Sequence, residues 1–123
     1  MTGKAEKNIA REILIAASRE GHRLFINARG KGWSGGPVER HADGSVTIRN
    51  ARAITYGLGP DGSGDLLGWT RDGRFASVEV KRPGEYPRQN QKDWMAAVRR
   101  AGGVAGVARS VEDALRILDG RDV

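Results

Sequence analysis

The 123-residue chain contains no cysteine. Disulfide scaffolds, cysteine-ligated zinc sites and thiol catalysis are therefore excluded. It has two histidines, His22 and His41, which lack helical spacing to each other. A histidine-based metal site within one chain is not expected, and both read as surface or turn residues. Unbroken apolar stretches are short, as at 13–17, and none approaches the ~20 residues that a membrane-spanning helix needs. No charged start followed by an apolar run and a small-residue cleavage site is found, so the cytoplasm is the expected compartment.

What is present suits a single domain over 1–123. Hydrophobic residues make up 38% and charged residues 29%, too apolar a balance for disorder. A chain of this length buries roughly two-thirds of its unfolded surface, enough for a core without staples. Lys and Arg number 21 against 15 acids, a net charge of +6. The excess lies at the two ends: residues 1–40 carry eight basic and four acidic side chains, and residues 81–123 carry nine and six. Residues 41–80 carry four and five. Basic ends suit a polyanion; a solvated basic surface accounts for them equally well, but leaves an acidic centre unexplained.

Patterning gives the elements. Over 4–20, Glu6, Ile9, Ala10, Ile13, Ala16, Ala17 and Glu20 fall on one side of a helix, and Gly21 ends it. Residues 23–28 read as a strand. Residues 29–45 are rich in Gly and read as a long irregular loop, followed by short strands at 46–48 and 53–56. Residues 65–70 and 74–81 flank Arg71-Asp72-Gly73, a three-residue hairpin loop with glycine last, which predicts a type I turn with a G1 bulge. In that register Thr70 faces Arg74 and Asp65 lies opposite Glu79; a two-residue loop would send the two acids to opposite faces. A helix follows at 88–101 with an apolar stripe of Trp94, Val98 and Ala101, then a buried strand at 104–108. Ser110, with Asp113 completing a capping box, opens a last helix through Leu118. The expected class is mixed α/β.

Three features converge. Glu79 and Lys81 are two apart on a strand and leave the same face, while Val78 and Val80 point to the core. The hairpin brings Asp65 beside Glu79, and two carboxylates so placed repel unless a cation lies between them. A hard cation such as Mg²⁺ is the natural occupant. Glu6 and Gln91 are polar residues on stripes that are otherwise apolar. Together they suggest a metal site with a lysine beside it, polarising a phosphate and activating a water for phosphodiester hydrolysis. A salt-bridged pair on a solvated sheet is the plainer reading of Glu79 and Lys81 alone. A helix cap is that of Gln91, and a first-turn acid that of Glu6.

In this order, Asp65, Glu79-Val80-Lys81 and Gln91-x-x-Trp94 resemble the core of the PD-(D/E)xK nuclease superfamily. More narrowly, they resemble the virus-type replication-repair nuclease (VRR-NUC) domain of phages and bacteria. Tyr56-Gly57-Leu58, Gly68-Trp69, Lys81-x-Pro83-Gly84, Gly102-Gly103 and the run 109–114 strengthen the likeness, which extends from Glu6 to about Leu118. The family often has Pro-Asp where this chain has Gly64-Asp65. The resemblance implies a restriction-endonuclease-like α-β-β-β-α-β core, with a mixed sheet flanked by helices. It also implies that Asp65, Glu79 and the Val80 carbonyl hold Mg²⁺ or Mn²⁺. Lys81 is then the catalytic lysine, Gln91 an accessory residue and Glu6 the acidic residue of the first helix.

The implied activity is a deoxyribonuclease, structure-specific towards junctions or flaps and phage-encoded, placing it in the host cytoplasm. Stand-alone members are similar to Holliday-junction resolvases, which makes a homodimer plausible, with Ile15 as one residue a partner would cover. A non-catalytic basic DNA-binding module and an RNA-directed nuclease are the competing readings. Gly30-Lys31-Gly32 lacks the flanking residues of a Walker loop. Arg29, Lys31, Trp33 and Arg40, with Arg49, Arg52 and Arg82, read either as grips on a DNA backbone, Trp33 stacking on a base, or as solvated loop residues.

Overall fold

The two strands either side of Arg71-Asp72-Gly73 are the two central strands of the four-stranded sheet. In the computed structural model, which describes residues 5–121, the elements in order are α1 (Glu6–Arg19), β1 (Arg23–Ile26), β2 (Gly30–Ser34), β3 (Val38–Arg40), β4 (Val46–Ile48) and β5 (Arg52–Tyr56). They continue with β6 (Leu66–Trp69), β7 (Phe75–Val80), α2 (Gln89–Arg100), β8 (Val104–Ala108) and α3 (Val111–Leu118). Leu66 pairs with Val78 and Trp69 with Phe75. The Thr70 N–H donates to the Arg74 carbonyl at 2.8 Å and the Gly73 N–H to the Thr70 carbonyl at 2.9 Å. Gly73 takes a φ of 86°, which glycine adopts without strain. The expected register is the observed one.

Four strands form a sheet in the order β1-β6-β7-β8, parallel between β7 and β8 and antiparallel elsewhere. Cores form on both faces. Ile9, Ile13 and Ala17 of α1 and Ala114, Ile117 and Leu118 of α3 bury against Leu66, Val78 and Val80. Each Ile or Leu so covered stabilises the fold by roughly 1.5–3 kcal/mol. On the other face Met95 and Val98 of α2 cover Ala105, with Trp94 packed alongside. The Trp94 indole N–H donates to Ser77 Oγ at 2.8 Å, and its ring meets Phe75 edge to face at 6.4 Å. The stripe differs from expectation by one residue: Met95 is buried, whereas Ala101 is exposed. Ser110 caps α3 as expected, its Oγ accepting from the Asp113 N–H at 3.2 Å, but the box is not closed: Asp113 Oδ2 accepts at 3.0 Å from the N–H of Arg109, one residue before the cap.

Three expectations need revision. Lys4, the first residue of the expected first helix, lies outside the described residues. The stretch 29–45 is not an irregular loop, because β2 pairs with β5 and β3 with β4. Its glycines conceal the alternation of strand residues, and pairing across the hairpin supplies the order that local propensity does not. His22 is not a surface residue. It is 3% exposed, and Nδ1 accepts from the Arg71 N–H at 3.0 Å. His41 is exposed, with Nε2 2.8 Å from Thr47 Oγ1.

The chain divides into two compact units, Ala28–Leu58 and the remainder. No helix among the described residues is long and apolar enough to cross a membrane.

Candidate active site

Asp65 and Glu79 meet because the hairpin register puts them opposite each other, one residue beyond the Leu66–Val78 pair. The meeting is held by backbone. Asp65 Oδ2 accepts from the Val80 N–H at 2.8 Å, so the strand carrying Glu79 also aims Asp65. On its other side, the Asn27 N–H donates to the Asp65 carbonyl at 2.8 Å, and Asn27 Nδ2 donates to the Gly64 carbonyl and Ser63 Oγ, each at 3.1 Å. Gly64 stands where the resembled family often has proline. Its Cα lies so close to Ser77 that an added Cβ would collide with Ser77 Oγ. Hydrogen bonds and close packing do here what a proline ring would do elsewhere.

Glu79 is 3% exposed. Its Oε1 accepts from Gln91 Nε2 at 2.7 Å and lies 3.7 Å from Lys81 Nζ. Oε2 is buried and has no hydrogen-bond partner among the described residues. Burial and then the neighbouring Asp65 carboxylate push the Glu79 carboxyl up to about 8, against the opposing pull of Lys81. A buried carboxylate beside a second carboxylate is costly unless a proton or a cation joins it. A divalent cation bound by carboxylates and waters satisfies that arrangement, so the donor set fits Mg²⁺ or Mn²⁺. No group of three His, Cys, Asp or Glu side chains capable of holding a metal occurs among the described residues. Waters, a backbone carbonyl or substrate oxygens would complete the shell.

Gln91 is buried on α2, as its stripe position predicts. Its Nε2 reaches Glu79, while its Oε1 accepts from the Arg88 N–H at 2.8 Å. Helix capping and orientation of Glu79, opposed as alternatives in the sequence, are performed by one side chain.

Glu6 opens α1 and is exposed. With Lys7, Asn27, Asp65 and Val80 it lines a cavity of about 280 Å³, room for several waters. Burial and a hydrogen bond with the Glu85 carboxyl raise its pKa, and Asp65 adds to the rise while Lys81 opposes it. Glu85 is held well below the usual carboxylate range by the Arg82 N–H, by Glu6 and by the Arg82 guanidinium. The sequence reading missed Glu85 and Asn27. Neither had a local signal, since each reaches the site through the tertiary fold.

The candidate nucleic-acid residues fall in both units. Arg82 lies in the larger unit, 3.3 Å from Glu85 Oε2. Arg29, Lys31, Trp33 and Arg52 belong to the Ala28–Leu58 unit, where Arg29 Nη1 donates to the Leu58 carbonyl at 3.3 Å. Lys31 and Trp33 occupy one face of the β2–β5 ribbon, and Arg52, paired with Ser34, the other.

No curated protein matches the chain. The family model of the VRR-NUC domain matches residues 10–112. That span contains Asp65, Glu79, Lys81 and Gln91 and begins after Glu6. With this match over most of its length, the chain belongs to the VRR-NUC domain family, whose members are of nuclease type.

Proposed function

We propose that the protein is a divalent-metal-dependent deoxyribonuclease that hydrolyses phosphodiester bonds, its nuclease domain taking in residues 1–123. The observation that carries this reading is the Glu79 carboxyl, buried beside the Asp65 carboxylate, with Lys81 Nζ 3.7 Å from its Oε1. Asp65, Glu79 and the Val80 carbonyl would hold Mg²⁺ or Mn²⁺. The ion, when bound, polarises a phosphate oxygen and lowers the pKa of a water. Lys81 orients that water and offsets negative charge developing on the phosphate. Gln91 acts through Glu79, both ends of its amide being engaged, and is a positioning residue. Glu6 lies at the mouth of the site, where a hydrogen bond with Glu85 ties it to the turn before α2.

The reading extends to branched DNA such as junctions or flaps, to phage replication or repair, and to a homodimer. Ile15, 51% exposed on α1, is one apolar residue that a second copy would cover. The test is a cleavage panel of supercoiled plasmid, single strands, flaps and four-way junctions with Mg²⁺, Mn²⁺ or EDTA, run beside Lys81→Ala. Metal-dependent cutting lost in the variant supports the nuclease. Salt-sensitive binding with no cutting under either metal overturns it in favour of a binding module.

A further inference from the structure

The Ala28–Leu58 unit is built without a core. None of its residues is buried, and isolated two-stranded hairpins are marginally stable in water. It nevertheless exposes Trp33 at 64%, Val38 at 51%, Tyr56 at 51% and Leu58 at 54%. It carries five Lys and Arg against two acids, Glu39 and Asp43. Both acids are engaged locally: Glu39 lies 3.9 Å from Arg49, and Asp43 accepts from the Ser45 N–H and hydroxyl at 2.9 and 2.6 Å. The unit is a cationic surface with aromatic side chains.

Its two faces differ. Directly paired residues share a face of the ribbon, so Gly30, Gly32 and Ser34 stand with Tyr56, Ile54 and Arg52. There the Tyr56 ring lies over Gly30, where a Cβ would collide with it. On the opposite face Trp33 and Lys31 stand above the small partners Ala53 and Thr55. This leaves an indole and an ammonium two residues apart, roughly 7 Å along the strand, with nothing large between them.

We propose that the Lys31–Trp33 face of the β2–β5 ribbon is a stacking platform for an unpaired base of a nucleic-acid strand, with Lys31 on an adjoining phosphate. It rests on the nuclease reading only in taking a nucleic acid as the partner. An exposed indole beside a cation suits single strands, because every base has a π-face while the charge follows the backbone. A duplex hides those faces in its stack. The platform therefore selects substrates with unpaired nucleotides.

Binding is measured in EDTA, where cleavage does not intervene, by fluorescence anisotropy with a single-stranded oligonucleotide, a blunt duplex and a duplex with a single-stranded tail. Trp33→Ala is expected to weaken binding to the single strand and the tailed duplex by about 5- to 100-fold. Binding to the blunt duplex should stay within about twofold. Trp33→Phe restores most of the affinity, and Lys31→Ala lowers the salt slope on single strands by about 0.7. Unchanged single-strand affinity in Trp33→Ala, or an equal loss on the blunt duplex, overturns the proposal. Neither result bears on metal-dependent cutting, which Lys81→Ala tests separately.

Discussion

Gln91 Nε2 donates to Glu79 Oε1 at 2.7 Å, so a residue of the first turn of α2 sets the direction of a carboxylate on β7. The amide oxygen is spent on the Arg88 N–H, which fixes the side chain at both ends. Gln91→Ala is expected to lower metal affinity or activity by about 10–100-fold, the usual effect of losing a partner that orients a metal ligand. A Mg²⁺ titration of cleavage checks this. A response confined to the melting temperature would reduce Gln91 to a helix cap.

Metal binding and catalysis are separable at Asp65 and Lys81. Asp65→Ala removes a proposed ligand together with the bond to the Val80 N–H. The melting temperature of that variant should no longer rise with Mn²⁺. Lys81→Ala leaves both carboxylates in place, so the rise should persist, as expected of a ligand that binds the folded state alone, while cleavage falls by at least about 100-fold. Loss of the Mn²⁺ response in Lys81→Ala would argue against this division of roles.

How much of this was legible in the sequence depended on range. Asp65 opposite Glu79 was readable because Arg71-Asp72-Gly73 is a loop whose length fixes the pairing register. Gln91 was readable because helical periodicity put it on the buried stripe. The β2–β5 ribbon was not, since Gly30, Gly32 and Gly35 carry no alternation and the pairing depends on a strand some twenty residues away. His22 was misread for a related reason, its buried position depending on Arg71, far along the chain. Glu85 was missed because a turn residue shows no periodicity, and only the fold brings it to Glu6.

Gly64 gives a test of packing beside the site. A Cβ there would collide with Ser77 Oγ, which is fully buried and accepts the Trp94 indole N–H. Gly64→Ala should cost about 1–3 kcal/mol, and Ser77→Ala alone about 1 kcal/mol for the lost hydrogen bond. In the double variant the colliding oxygen is absent, so the combined cost should fall short of the sum. Denaturant unfolding of the four proteins measures the coupling, and strict additivity would refute the collision.

Glu79 also makes stability depend on pH. Its carboxyl is raised in the folded protein from the ordinary 4.5 to about 8, by burial and by Asp65. A raised acid holds its proton more tightly when folded than when unfolded. Its contribution is therefore fully present below about pH 4.5 and is lost as pH rises towards 8. Glu6, also raised, acts in the same direction. In EDTA the melting temperature should fall between pH 5 and pH 8. Each kcal/mol is worth roughly 4 °C in a chain of this size. Glu79→Gln, which keeps the shape of the side chain and discards its charge, should flatten that fall and melt higher than the parent at pH 8. Excess Mg²⁺ should raise the parent most at high pH, where the Glu79 carboxyl has lost its proton, and leave Glu79→Gln largely unmoved. A parent whose metal-free stability rose between pH 5 and pH 8 would place the second carboxylate somewhere other than against Glu79.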